Sequence, residues 1–157
     1  MRMPMPPAFR SSLVNLHQIN FQDLTNSLTP EEAREPSAAL LESIARTGIL
    51  HPPVLREQGG AILEIVAGRR RLIAAQQALH SISAICLVLP QETLPAEALA
   101  INLEDTLLRG DITVVEQAIF FQKILAYLDE NEAARRFLPA LGLEPHRHHL
   151  RNLVQLI

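Results

Sequence analysis

The stretch "AILEIVAGRRRLIAAQQALHSISAICLVLP" (residues 61–90) decides the fold. It opens with an apolar run, 61–66, whose length and β-branched residues suit a strand. Ala67-Gly68 ends that run. Three consecutive arginines follow, and then "LIAAQQALH", in which Leu72, Ala75 and Leu79 recur at helical spacing and are expected to face inward. "SAICLVLP" reads as a second, buried strand. Strand, helix and strand thus occupy 61–89. Such an order predicts a crossover unit with a parallel strand pair.

Upstream, "HPPVLREQGGAILEIVAG" reads as a β-hairpin. Val54-Leu55-Arg56 is one strand, 61–66 the other, and Gly59-Gly60 the turn. Pro52-Pro53 should push the first strand to an edge or to a ligand-facing start. "PSAALLESIARTGIL" predicts a helix with Leu40, Leu41 and Ile44 on one face and Gly48 as its stop. Thr29, Pro30 and Glu32 form a helix-start pattern that Pro36 cuts short. Leu13, Val14, Leu16 and Ile19 suit a short strand. The start, "MRMPMPPAFRSS", lacks a continuous apolar segment and reads as a flexible tail over 1–12.

Beyond the second strand the pattern is helical. Leu99, Leu103 and Leu107 mark one helix. Thr113 and Glu116 form a capping box opening the next, with a stripe of Val114, Ala118, Phe121, Leu125 and Leu128 expected to face the core. The end gives a helix, a turn at Gly142, and a last helix marked by Leu150, Leu153, Val154 and Ile157. The expected organisation is α+β: a small mixed sheet with a crossover helix over 13–110, then a helical part over 111–157, with the boundary near Gly110.

Composition bounds the function. A chain of 157 residues with 48% apolar residues can build a core. Aromatics are only 4% and tryptophan is absent, so Leu, Ile, Val and Ala must fill it. The net charge of −3 argues against attachment to DNA or membrane by global electrostatics, though not against a local basic face. The single cysteine, Cys86, lies in an apolar strand and is expected to be an inert core residue in a reducing compartment, with the cytoplasm as default. Thirteen of the fourteen basic residues are arginine, the residue suited to bidentate phosphate and carboxylate recognition; biased composition explains the same count.

The arginine triplet needs a physical reason. A helix start carries unpaired N–H groups and partial positive charge. Each cation there is unfavourable by roughly 0.3–1 kcal/mol. A bound anion reverses that sign, because N–H groups and guanidinium forks converge on it. Gly68 would let the backbone approach a phosphate closely. The alternative is that the arginines splay into solvent or pair with Glu57, Glu64 or Glu104.

At these residues the chain resembles the N-terminal domain of the ParB chromosome and plasmid partition proteins. The matching positions are Ser43, Ile44, Gly48, Ile49, Leu50, Pro52, Gly68, Arg70, Arg71, Ala74 and Ala75, followed by Arg109, Asp111, Glu116 and Ala118 in "DTLLRGDITVVEQA". The resemblance implies a fold shared with sulfiredoxin and a pocket for a nucleoside triphosphate such as CTP, with magnesium. It implies that Gly68, Arg70 and Arg71 face the phosphates, with Arg69 beside them and Gly48, His51 and Pro52 forming the other wall. It implies a dimeric clamp on DNA that nucleotide binding closes and slow hydrolysis reopens.

The chain departs from that pattern at four places. Arg69 stands where the family has the Glu that helps hydrolysis, His51 at a Gln, and Ile73 at an Arg. Asp105-Thr106 replaces a Glu-Asn pair whose Asn helps hold magnesium, although both residues offer oxygen to a hard cation. Phosphate binding is therefore expected to persist while turnover is compromised.

Two further features bear on partners. "LPALGLEPHRHHLRNLVQLI" resembles the helix-turn-helix that follows the ParB core, which would set Arg147, His148 and Arg151 near DNA. A plain helical hairpin closing the core fits the same residues. His146, His148 and His149 could suggest a metal, but only His146 and His149 share a helix face, no third ligand lies at matching spacing, and no metal site is expected. Three functions remain in play: a nucleotide-binding, DNA-associated partition or regulatory module, with weak CTPase activity at most; a protein-interaction adaptor that kept the fold; and a metal-dependent nuclease using Glu104 or Asp105. A homodimer or a larger protein partner is expected in each, and no membrane attachment.

Overall fold

In the computed structural model, which describes residues 8–157, the Gly59-Gly60 hairpin forms as its residue types require. Both glycines sit at positive φ, 93° and 63°. They join β3 (Val54–Glu57) to β4 (Leu63–Ala67), which pair antiparallel. The register slips between Val54 and Leu55, so that Val66 is an extra residue in β4 just before the chain turns at Gly68.

Three more strands complete a mixed five-stranded sheet in the order β1-β5-β3-β4-β2. These are β1 (Arg10–Asn15), β2 (Ile19–Asn20) and β5 (Ser83–Leu89). The expected parallel pairing of the strands before and after the crossover helix is not what forms. The outer edge of β4 is taken by β2, in the register Ile19 to Leu63, so β5 pairs with β3 instead, parallel, with Val54 opposite Leu87. β3 is thus a central strand and not an edge. Pro53 costs it nothing, because only its carbonyl is needed, and that accepts from the Leu87 amide at 2.9 Å. β5 is not wholly buried either: Ile85 is 59% exposed opposite Leu13 of the edge strand β1. β1 starts at Arg10, inside the stretch expected to be a tail; the rest of that expectation over 1–7 lies outside the described residues.

Helix α1 (Ala38–Thr47) starts at Ser37, whose hydroxyl accepts from the Leu40 amide. It stops at Gly48, which has φ 72° and donates its N–H to Ile44. α2 (Arg69–Leu79) buries Leu72, Ala74 and Ala75. Leu72 joins Val14, Leu16, Ile19, Leu55, Ile65, Cys86 and Val88 in the sheet core. Ala74 and Ala75 meet Ile44, Leu40 and Leu41 of α1. Leu79 does not face inward as its spacing suggested; it is 43% exposed in the last turn. The helix-start pattern at Thr29–Glu32 gives only a single 3-10 turn, Glu31–Ala33, as Pro36 dictates.

The helical part comprises α3 (Pro95–Arg109), α4 (Val114–Ile124), α5 (Glu130–Phe137) and α6 (Arg147–Val154). The capping box of α4 is present, Thr113 accepting from the Glu116 amide and Glu116 from the Thr113 amide. Its core face is Ala118, Phe120, Phe121 and Ile124, while Val114 is 54% exposed. Phe120 makes edge-to-face contacts with Phe121 and Phe137, at centroid distances of 5.2 and 4.9 Å. Leu99 and Leu103 of α3 share this core, together with Leu28 and Leu150. Ile157, by contrast, is exposed.

In packing, the described residues form two compact units: the first is 8–25 with 32–93, the second 26–31 with 94–157. Between these units the chain passes at Thr93–Leu94, and the buried side chains of α3 belong to the phenylalanine core.

Candidate functional site

The start of α2 gathers the arginines predicted from sequence. Gly68 is its N-cap, left-handed at φ 99° and ψ 21°, and has no side chain to cap the first-turn N–H groups. No acidic residue lies in that turn. A Cβ at Gly68 would come within 2.8 Å of Pro53 Cβ and 2.8 Å of Arg71 Nη2. Glycine is therefore required twice, by conformation and by space.

The three guanidiniums do different things. Arg71 is 8% exposed and donates from Nη1 to the His51 carbonyl at 2.7 Å. Its charge is thus turned under the glycine and holds the segment that follows α1. Arg69 is half-buried; it donates from Nε to the Phe21 carbonyl at 3.2 Å and from Nη1 to the Arg34 carbonyl at 3.4 Å. Arg70, half-buried, lies between them in sequence at the second helical position. Phe21, Arg34 and Pro53 were not legible as site neighbours, since two of them act through backbone carbonyls that every residue type shares. His51 and Pro52 expose their side chains, while the His51 main chain receives Arg71.

Beneath this corner, burial pushes the Cys86 thiol up to about 11, partly opposed by the Arg71 charge. A thiol so placed is an unreactive part of the core. The one acid of β4, Glu64, is buried and pairs with Arg56 at 2.6 Å, and Arg56 also donates to the Thr93 carbonyl at 2.8 Å.

Asp105 and Thr106 belong to the second unit and are engaged within α3. Asp105 pairs with Arg109 at 3.4 Å. Thr106 is 5% exposed; its hydroxyl lies 2.9 Å from the Asn102 carbonyl and accepts from Arg109 Nη2 at 3.3 Å. As a pair of hard-cation ligands they would have to give up these contacts.

At the C-terminal end, Gly142 makes the turn at φ 76°, and Arg147 and His148 are exposed on α6. Arg151 is bound to Glu130 of α5 at 2.6 Å, which offsets the charge expected to meet a phosphate. The rings of His146 and His148 lie 6.5 and 6.1 Å from that of His149. Among the described residues no helix is long and apolar enough to cross a membrane.

A five-stranded mixed sheet whose crossover helix starts at a left-handed glycine and three arginines defines an α+β domain with a cationic corner. The chain belongs to the ParB N-terminal domain family, whose model matches residues 9–103. The chromosome-partitioning protein Spo0J of Thermus thermophilus is 37% identical over 106 residues, 66% of this chain and 38% of that protein. A probable chromosome-partitioning protein ParB of Pseudomonas putida is 32% identical over 130 residues, 77% of this chain and 43% of that one. Stage 0 sporulation protein J of Bacillus subtilis is 32% identical over 126 residues, 78% and 41% of the two chains. The chain thus spans about two fifths of the length of these relatives. Among solved structures, C-terminally truncated ParB from Caulobacter crescentus with CTP-γ-S is matched at 22% identity and TM-score 0.45, covering 94% of this chain and 78% of that one. The same protein on the centromeric parS site is matched at 20% and 0.48, with coverages of 94% and 71%.

Proposed function

We propose that this chain is a nucleotide-binding, DNA-associated partition or regulatory module, with its phosphate cradle at Gly68–Arg71. One observation carries the reading: α2 begins with three cations, no acid and no capping side chain, at a left-handed glycine. A phosphate supplies the missing negative charge and takes the first-turn N–H groups. The relatives above, all named for chromosome partitioning or sporulation, support a partition role.

Within this reading, the role of Arg70 rests on the resemblance of the motif and that of Arg71 on its hydrogen bond. Arg70 is the direct phosphate ligand. Arg71 acts from below, fixing the His51 carbonyl and so the shape of the wall that follows α1. CTP is the nucleotide chosen, on the resemblance of the motifs. With a cation at Arg69 and no carboxylate in the turn, nothing in the cradle activates a water, so the chain binds without appreciable turnover. Magnesium is assigned no ligand here, since Asp105 and Thr106 are engaged within their own helix.

Isothermal titration with CTP, ATP and GTP, with and without magnesium, tests the reading. Micromolar to millimolar binding lost in Arg70→Ala is expected. No binding of any of the three would overturn it.

A further inference from the structure

Arg69 occupies a singular place in the chain path. The first unit gives up residues 26–31 to the second, and the chain leaves and re-enters the first unit around them. Within the second unit this short segment is firmly built in. Leu28 is part of the phenylalanine core, the Ser27 carbonyl accepts from Lys123 Nζ at 2.7 Å, and the Asn26 carbonyl accepts from Asn102 Nδ2 at 2.8 Å. Within the first unit the two flanks of the excursion are Phe21 and Arg34. Their carbonyls are the two acceptors that Arg69 holds. One guanidinium at the start of α2 therefore grips both the outgoing and the returning chain.

The grip is of a releasable kind. N–H···O bonds to carbonyls lie at about 2.7–3.2 Å, and the two Arg69 contacts, at 3.2 and 3.4 Å, fall at and beyond the long end of that range. Their acceptors are neutral. Among the described residues Arg69 makes no ion pair, so its charge has no carboxylate partner. A phosphate dianion at the same helix start is a better acceptor than two peptide carbonyls.

We propose that Arg69 is a positioning residue that latches the Phe21 and Arg34 ends of this excursion, and that a phosphate-bearing ligand at the start of α2 draws Arg69 away and loosens them. The second half rests on the nucleotide reading; the latch itself does not. Linkage makes the effect reciprocal: whatever holds the flanks in place weakens the ligand's hold on Arg69.

Amide hydrogen exchange over 20–36 tests it, because several amides there are protected by local bonds: Gln22 to Asn20 Oδ1, Asp23 to the Asn20 carbonyl, and Thr25 to Asp23 Oδ1. Arg69→Gln without ligand should speed exchange of these amides by about five-fold or more while β3, β4 and β5 keep wild-type rates. Arg69→Lys, which keeps the charge on a single donor centre, should fall between. Saturating CTP on the wild type should speed the same amides. Wild-type rates in Arg69→Gln, or acceleration spread equally over the sheet, would overturn the latch. CTP that binds but protects or leaves these amides unchanged would overturn the release. CTP that does not bind by titration would overturn the release and the nucleotide reading together, with the ligand-free comparison still deciding the latch.

Discussion

The Arg71 guanidinium donates to the carbonyl oxygen of His51 at 2.7 Å, tying the start of α2 to the segment that follows α1. In a buried position this bond is a structural demand. Arg71→Ala should therefore lower stability by about 2 kcal/mol, since the His51 carbonyl loses its charged donor and the buried Arg71 side chain its packing. Urea unfolding of the two proteins checks it. Arg71→Lys should recover only part of the loss, because an ammonium lacks the fork that reaches both His51 and the space under Gly68.

Gly68→Ala combines two penalties. The left-handed conformation costs an L-residue about 1–2 kcal/mol, and the contact with Pro53 adds about 1–3 kcal/mol of overpacking. A loss of stability of that combined order, with ligand binding abolished, is expected. Gly110→Ala makes a useful control: it also has a positive φ, 142°, but nothing lies within 4 Å of its added Cβ. It should show strain without the packing penalty.

His80 caps the C-terminus of α2 in the left-handed region, φ 52° and ψ 36°, a conformation rare for a residue with a Cβ. His80→Gly should raise stability by about 0.5–1 kcal/mol, with no change in ligand affinity, since it sits at the opposite end of the helix from the arginines. Thermal unfolding and nucleotide titration on one preparation measure both.

Asp23 gives a pH dependence. Burial raises its pKa, but the Thr25 hydroxyl and amide, Gln58 and the Arg56 charge together bring it below the ordinary carboxylate value. A depressed folded pKa means that its contribution to stability is present above the unfolded value and is lost as pH falls through the folded one. The turn at 23–25 should therefore hold at neutral pH and loosen only below the ordinary carboxylate range. Following the Thr25 amide by NMR from neutral pH downward shows this; Asp23→Asn should remove the transition.

The elements were largely legible in the sequence, and their partners were not. The Gly59-Gly60 turn, the Gly48 stop and the Thr113–Glu116 box each depend on a few adjacent residues, so local chemistry decides them. The pairing of β5 with β3 depends on β2 having filled the far edge of β4, and β2 is a two-residue strand with no periodicity to read. Stripe positions failed at helix ends, as at Leu79 and Val114, where an ideal spacing continues past the packed surface. The cationic corner was visible as a run of letters. The division of labour within it was not, because the acceptors of Arg69 and Arg71 are main-chain carbonyls of Phe21, Arg34 and His51.

The most direct test of the phosphate cradle is amide NMR of the nitrogen-15-labelled chain during titration with CTP. The largest shifts are expected at Gly68, Arg69, Arg70 and Arg71, with smaller ones at His51 and at the flanks Phe21 and Arg34. These should disappear in Arg70→Ala. Shifts confined to α6 around Arg147 and His148, or no shifts at millimolar CTP, would contradict it.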